Sequence, residues 1–265
     1  MSATTQATEA TQAPDATQAA AETLTSGSMR SLWIQLVVVL LAIAGLWSYL
    51  AFGDLSETER TTLAPTNLWN YTVEHLQLTV VAAAIVLVIA IPLGILLTRR
   101  PFRRLSGPVM VVANIGQAAP AIGLIVLLAF IVGFGFTAAV IALVAYAVLP
   151  VLRNTMVGLQ QVDQRLVEAG RGMGMSAAAV LFRVELPLAV PVMLAGIRTA
   201  LVLLVGTATL ATFINGGGLG ILITTGVNLN LTKVLVVGSL LVALLAIVVD
   251  WLGRVVEHVA RPKGL

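Results

Sequence analysis

Few side chains in this 265-residue sequence have the type and spacing to do chemistry. Cysteine is absent, which removes disulfides, thiolate nucleophiles and thiolate-bound metals, and the two histidines, His75 and His258, lie in opposite thirds of the chain. Neither a metal site nor a cofactor site is expected. The lysines are Lys233, after Thr232, and Lys263, after Pro262, so no G-x-x-x-x-G-K-[ST] loop exists to cradle nucleotide phosphates. Gly172-Met173-Gly174-Met175-Ser176-Ala177 fits the dinucleotide pattern G-x-G-x-x-A, but no strand precedes it and no βαβ unit could hold it. Proton coupling is weakly supported, because Asp250 lies near the end of an apolar run and Glu74 at the edge of one. No nucleophile and base pair up inside the apolar runs, so catalysis by this chain is not expected. What remains is a set of polar residues embedded in apolar sequence: Asn114, Gln117, Arg198, Thr207, Thr209 and Thr212.

The elements that must position them follow from composition. Hydrophobic residues make up 58% of the chain, and 15 Lys+Arg with 12 Asp+Glu leave 27 formal charges. A soluble domain of this length would carry roughly 66, about a quarter of its residues. Scarce charge and long apolar runs predict an all-α polytopic membrane protein with six transmembrane helices of about 20 residues each. The spans fall near Leu32–Ala51, Leu76–Leu97, Val109–Val132, Phe136–Leu152, Leu188–Ile214 and Val234–Trp251. The second carries Pro92 and Gly94, and the third is interrupted by Asn114, Gln117 and Pro120. Residues 1–28 read as a disordered tail, rich in Ala, Thr, Gln and Ser with too little apolar surface to offset ordering. They lack the basic start and early apolar core of a signal peptide, so the first span is expected to be retained. Residues 29–72 hold the first helix and an external loop, 73–227 a core domain with a long loop at 153–187, and 228–265 the last helix and C-terminus.

Charge in the loops orients the spans. With the N-terminus inside, one side receives Arg30, Arg99, Arg100, Arg103, Arg104, Arg153, Arg165, Arg171, Arg183, Arg254, Arg261 and Lys263, and the other only Arg60 and Lys233. Twelve against two is a strong positive-inside bias that places both termini in the cytoplasm. The arginines cap apolar runs instead of forming a stripe, so nucleic acid is not an expected partner. Trp33, Trp47, Trp69 and Trp251 fall near span ends and read as anchors at the bilayer interface.

The longest internal connection, Arg153 to Glu185, mixes charge with small and apolar residues. Asp163 is placed to N-cap a short helix, and Leu166, Val167, Ala169 and Gly170 share a face on it. Gly172 and Gly174 end that helix, and Ala177–Val184 form a second one that runs until Pro187. Two short helices around a glycine turn make either a compact cytoplasmic knob or a solvated linker.

Within this loop, Glu168-Ala169-Gly170-x-x-x-Gly174, nine further positions and Val184-x-Leu186-Pro187 resemble the E-A-A-x3-G-x9-I-x-L-P signature of permease subunits of type I ABC importers. Gly170 stands for the third alanine and Val184 for isoleucine. The resemblance implies a permease fold with cytoplasmic coupling helices, in which Glu168, Ala169, Gly170, Gly174, Leu186 and Pro187 belong to a loop that docks on a separate P-loop ATPase. That subunit, and not this chain, would bind ATP-Mg. A second permease subunit, an extracytoplasmic solute-binding protein and the bacterial plasma membrane are implied as well. More narrowly, Pro92–Arg99, Ala113–Ala121, Leu149–Thr155, Ala195–Ala200 and Gly216-Gly217-Gly218-Leu219-Gly220 resemble permeases for osmoprotectants such as glycine betaine, carnitine and choline. Around Gln117 and Pro120 the chain departs from that family, which more often has bulkier residues there. Another solute, such as an amino acid or a betaine-like thione, and a non-transporting scaffold remain the alternatives.

For the path itself, Asn114 and Gln117 sit three apart on one helical face before Pro120, and should face the bundle either to line a path or to bond between helices. Arg198 lies about 16 Å beyond Pro187 at 1.5 Å per residue. A guanidinium at that depth costs roughly 2.5–3.5 kcal/mol, so it should face protein or water. Its expected role is gating by pairing with a carboxylate or a helix C-terminus, or else a structural hydrogen bond or snorkelling. Thr207 is a weaker candidate, because threonine often bonds its own helix backbone.

Overall fold

A computed structural model describes residues 13–260, and the side chains from Arg30 onward. Helix α1 (Ala13–Phe52) contributes an apolar span at Arg30–Phe52 and is followed by the short external helix α2 (Glu57–Thr62). Pro65 starts α3 (Pro65–Thr98), because a missing N–H costs nothing in a helix's first turn. A 3-10 turn at Arg103–Leu105 leads into α4 (Ser106–Ala118) and α5 (Ala121–Val132). Then come α6 (Phe136–Gln160), α7 (Gln164–Gly172), α8 (Ala177–Val180), a π-turn at Leu181–Glu185 and α9 (Leu186–Ala208). A 3-10 segment at Thr209–Ile214, α10 (Gly220–Asn228) and α11 (Thr232–Ala260) complete the order.

The core lies where α6 packs between α3 and α9. Small residues make that contact close: Ala82 and Ala90 on α3, Ala138, Ala139 and Ala147 on α6, and Ala208 on α9 are fully covered. Lipid offers no hydrophobic driving force between helices, so backbone proximity and van der Waals contact must hold them. Helix α11 packs on α9 and α10, while α1 rests against α11 at the periphery. There the Trp251 indole N–H donates to the Leu32 carbonyl at 3.0 Å. Trp33, Trp47 and Trp69 point outward from the protein.

Several elements differ from their sequence-based expectation. From Ala13 onward, the segment expected as a disordered tail continues the backbone of α1, since extending a formed helix avoids the cost of nucleation. Residues 1–12, Arg261 and Lys263 lie outside the described residues. The fourth span runs through Pro150 to Gln160, beyond the expected end at Leu152. The second helix of the loop does not stop at Pro187. It passes through the π-turn, whose wider coil just before Leu186-Pro187 accommodates a ring that lacks an N–H, and becomes α9.

The third span is not straight. Pro120 holds Ala119 extended, at φ −63° and ψ 142°, and α4 and α5 meet at 100°. The pair nevertheless crosses from one end of the bundle to the other. Gly135, just after α5, donates its N–H to Ile214 at the far end of the α9 segment, whereas Arg99, just before α4, pairs with Glu185 at its start. Those two points lie roughly 40 Å apart along the helix at 1.5 Å per residue. The bent pair is therefore counted as one crossing, which makes six.

Candidate functional site

The loop between α6 and α9 is an ordered knob. The Asp163 carboxylate caps α7, accepting from the Arg165 N–H at 2.9 Å. On α7, Val167 and Gly170 turn inward, onto a small apolar cluster with Val162, Val180, Met175 and Val184. Gly174 adopts φ +83°, a left-handed conformation that a side chain would strain, and so reverses the chain. Ser176 then caps α8 through its hydroxyl, which accepts from the Ala179 N–H at 3.2 Å. Glu168 and Ala169 face outward, and Glu168 makes no hydrogen bond or ion pair among the described residues. The face expected from Leu166, Val167, Ala169 and Gly170 is thus divided: two residues hold the knob together and two are exposed. Leu166, Met173 and Phe182 are left open at 47%, 73% and 66% exposure, an apolar surface on an element too polar to enter lipid. Leu186 is half-buried at the start of α9, and Pro187 is exposed beside it.

Glu185 is what the sequence reading missed. It sits in the π-turn with its side chain 9% exposed and accepts both terminal nitrogens of Arg99, one of them at 3.1 Å, in a bidentate fork. This pair ties the base of the knob to the end of α3. A carboxylate one residue before a span, with a cluster of arginines after another span, was the available signal. Only the fold shows which arginine is used.

The polar residues within the spans divide differently from expectation. Asn114 is exposed on the outer surface of α4 and donates to its own helix at the Met110 carbonyl, 2.7 Å away. Gln117 is half-buried and Pro120 exposed. The expectation that both residues face the bundle is corrected for Asn114: α4 turns Ala113 and Gly116 toward α6, and so leaves Asn114 on the outside. Thr207 bonds back to Leu203 at 2.8 Å, and its neighbours on α5 and α6 leave no room for a water molecule. The apolar crevice between α3, α6 and α9 holds only about 10 Å³.

Arg198 has carboxylate partners. From α9 it reaches Glu257 at 3.0 Å and Asp250 at 3.5 Å, both on α11, and Asp250 also accepts from Arg254 at 2.9 Å. Gly253 makes room for the arginine stem, since a methyl there would lie 2.8 Å from Arg198 Cγ. These ion pairs fasten α9 to α11, and Gln35 of α1 joins them by donating to Asp250 at 3.4 Å. At the opposite end of the bundle, Glu74 accepts from the Gly218 N–H at 3.0 Å, and the fully covered His75 donates through Nε2 to the Val205 carbonyl at 2.9 Å. Glu74 thus clamps the glycine-rich segment after α9 onto α3, and His75 ties α9 itself to α3. Beside it, α10 begins at Gly220, where a methyl would lie 2.0 Å from the Thr209 carbonyl oxygen.

Among the described residues the chain is an all-helical bundle of membrane-length helices with an ordered, exposed knob between its fourth and fifth spans, the architecture of a multi-pass membrane protein. The chain belongs to the family of binding-protein-dependent transport system inner membrane components, whose model matches residues 90–261. It is 41% identical over 192 residues to the glycine betaine/carnitine/choline transport system permease protein OpuCB of Bacillus subtilis, covering 72% of this chain and 88% of that one. It is 38% identical over 203 residues to the osmoprotectant import permease protein OsmW of Salmonella typhimurium, covering 75% and 94%. In three dimensions it is similar to a chain of the MetNI methionine ABC transporter in an inward-facing conformation, with a TM-score of 0.65, 25% identity and coverage of 78% and 99%. The fold is that of a type I ABC importer permease.

Proposed function

We propose that this chain is the permease subunit of an ABC importer that takes up quaternary-ammonium compatible solutes such as glycine betaine, choline or carnitine. The observation that carries the reading is the knob: Glu168 and Ala169 exposed beside Leu166, Met173 and Phe182, on a turn reversed at Gly174 and braced by Arg99 and Glu185. Such a surface suits a groove on a separate ATPase, whose closure on ATP would move the permease through α8 and α9, continuous helices from Ala177. Both termini and the knob lie on the cytoplasmic side, in line with the arginine bias. An extracytoplasmic binding protein delivers solute at the opposite face. A second permease subunit completes the path, because the crevices where α6 meets α3 and α9, and where it meets α5 beside Thr207, are too small for a solute while Asn114 presents an amide outward at membrane depth. Arg198, enclosed by its carboxylates, acts as a brace between α9 and α11 and not as a ligand for a cationic solute.

Reconstitution with the ATPase and binding protein tests this. Glycine betaine, choline or carnitine should stimulate ATP hydrolysis and accumulate inside vesicles only when the binding protein is present, whereas methionine should do neither. Stimulation by methionine alone would move the substrate class, and absence of solute-dependent turnover would favour a scaffold. Glu168→Ala combined with Gly174→Pro should abolish transport, and full transport by that variant would refute the coupling role of the loop.

A further inference from the structure

Between the end of α3, the end of α6 and α7 lies a cavity of about 690 Å³ at the base of the knob. Its lining carries four arginines, Arg99, Arg100, Arg103 and Arg171, against one carboxylate, Glu185. Glu185 is taken up by Arg99, and the Arg99 Nε is itself covered without a hydrogen-bond partner. Arg100, Arg103 and Arg171 have no ion-pair partner among the described residues, so three guanidiniums on two separate elements share one concavity without a counter-charge. Gln160 and Gln164 add amide donors to the wall. The volume falls within the range of small-molecule sites and exceeds what a bare ion needs. Repulsion between Arg171 on α7 and the arginines after α3 opposes closure of the knob onto the body, and an anion with several oxygens would reverse it. Guanidinium forks match phosphate oxygens in pairs, which favours a phosphate over a halide.

We propose that this cavity binds a phosphate oxyanion, which bridges Arg100 and Arg103 after α3 to Arg171 on α7 and thereby sets the position of the coupling loop. The functional consequence rests on the reading of the loop as the ATPase-docking element, while the binding itself does not. A lipid phosphodiester headgroup and free inorganic phosphate share the required chemistry, and both are available at a basic cytoplasmic membrane face.

The full-length chain, purified in neutral detergent, is offered phosphatidylglycerol or phosphatidylcholine and read by native mass spectrometry. Separately, its thermal midpoint is titrated with inorganic phosphate, with chloride at matched ionic strength as control. Wild type should retain phosphatidylglycerol over phosphatidylcholine, or be stabilised by phosphate beyond chloride. Arg103→Gln with Arg171→Gln should weaken that binding roughly tenfold or more, as expected for losing charge-assisted hydrogen bonds. Arg104→Gln, outside the lining, should behave as wild type. Retention of the anionic lipid without a phosphate effect identifies a headgroup, and a phosphate effect alone identifies the free anion. If the double variant is not monodisperse, Arg171→Lys takes its place, and it should lose part of the preference because it keeps the charge without the fork. Wild type that distinguishes neither anion, or arginine variants that bind as wild type does, would overturn the proposal. These readouts need no ATPase, so failure of the transport assay would leave them standing, and their failure would leave the transport reading intact.

Discussion

The bond between Arg99 and Glu185 should govern how firmly the knob is held to the transmembrane body, and its strength can be worked out from its surroundings. The Glu185 side chain is 9% exposed and that of Arg99 is 32% exposed. Breaking a fully buried pair costs roughly 3–5 kcal/mol, and breaking an exposed one roughly 0.2–1 kcal/mol. A bidentate pair with one partner buried and the other a third exposed falls between, at about 2 kcal/mol, or about 30-fold in a local equilibrium. Glu185→Gln keeps the shape and removes the charge, leaving the Arg99 guanidinium with a single acceptor. Hydrogen exchange at the amides of 177–187 should then quicken about 30-fold if local opening limits it, while the core of α6 stays protected. In a cycle with Arg99→Gln, the double variant should lose little more than either single one. In the assembled transporter, solute taken up per ATP should fall more than ATP hydrolysis does, because the knob would move without carrying α3 with it. A less than twofold change in exchange at 177–187, or additive effects in the cycle, would refute the bracing role of the pair.

Other perturbations have equally definite outcomes. At Gly170 a methyl would lie 3.4 Å from Val180 and 3.5 Å from Met175, ordinary contact distances, so Gly170→Ala should fit and firm α7. Helix propensity favours it by roughly 1 kcal/mol, which should slow exchange in 164–172 about fivefold with transport retained. Gly220→Ala should prevent α10 from seating, because its methyl would overlap the Thr209 carbonyl, and the yield of monodisperse protein should collapse. On the external side, the Ser56 backbone N–H, followed by its hydroxyl and Lys233, holds the Glu59 carboxyl below its ordinary value of 4.5 against the opposing effect of burial. A depressed folded-state pKa contributes stability above pH 4.5 that is lost as pH falls through the folded value. The difference in thermal midpoint between wild type and Glu59→Gln should therefore be constant at neutral pH and close on acidification below that point. A difference that persists at pH 3 would show that the side chain acts through packing alone.

Much of this was readable before the fold. The spans were visible because a run long and apolar enough to cross lipid satisfies its backbone only as a helix, so position along the chain already determines the element. The knob was visible for the opposite reason: charges alternate with small residues between two spans, and Asp163, Gly174 and Ser176 are local devices that act within a few residues of themselves. Asn114 was placed on the wrong side because its spacing from Gln117 specifies a shared face but not what that face meets. Arg198 stood out by its depth, yet its carboxylate partners, Asp250 and Glu257 on another helix, came into view only with the fold.

By itself, then, the sequence determined the helical membrane class, the approximate placement of the spans and the capped, glycine-turned loop between the fourth and fifth of them, all consequences of hydrophobicity, charge and turn chemistry over short distances. Only the tertiary structure decided the 100° break that still counts as one crossing, the choice of Arg99 for Glu185 across 86 residues, the enclosure of Arg198, and the gathering of Arg100, Arg103 and Arg171 around one cavity. Those are contacts between distant segments, and their partners depend on how helices pack, which no local pattern of residues encodes.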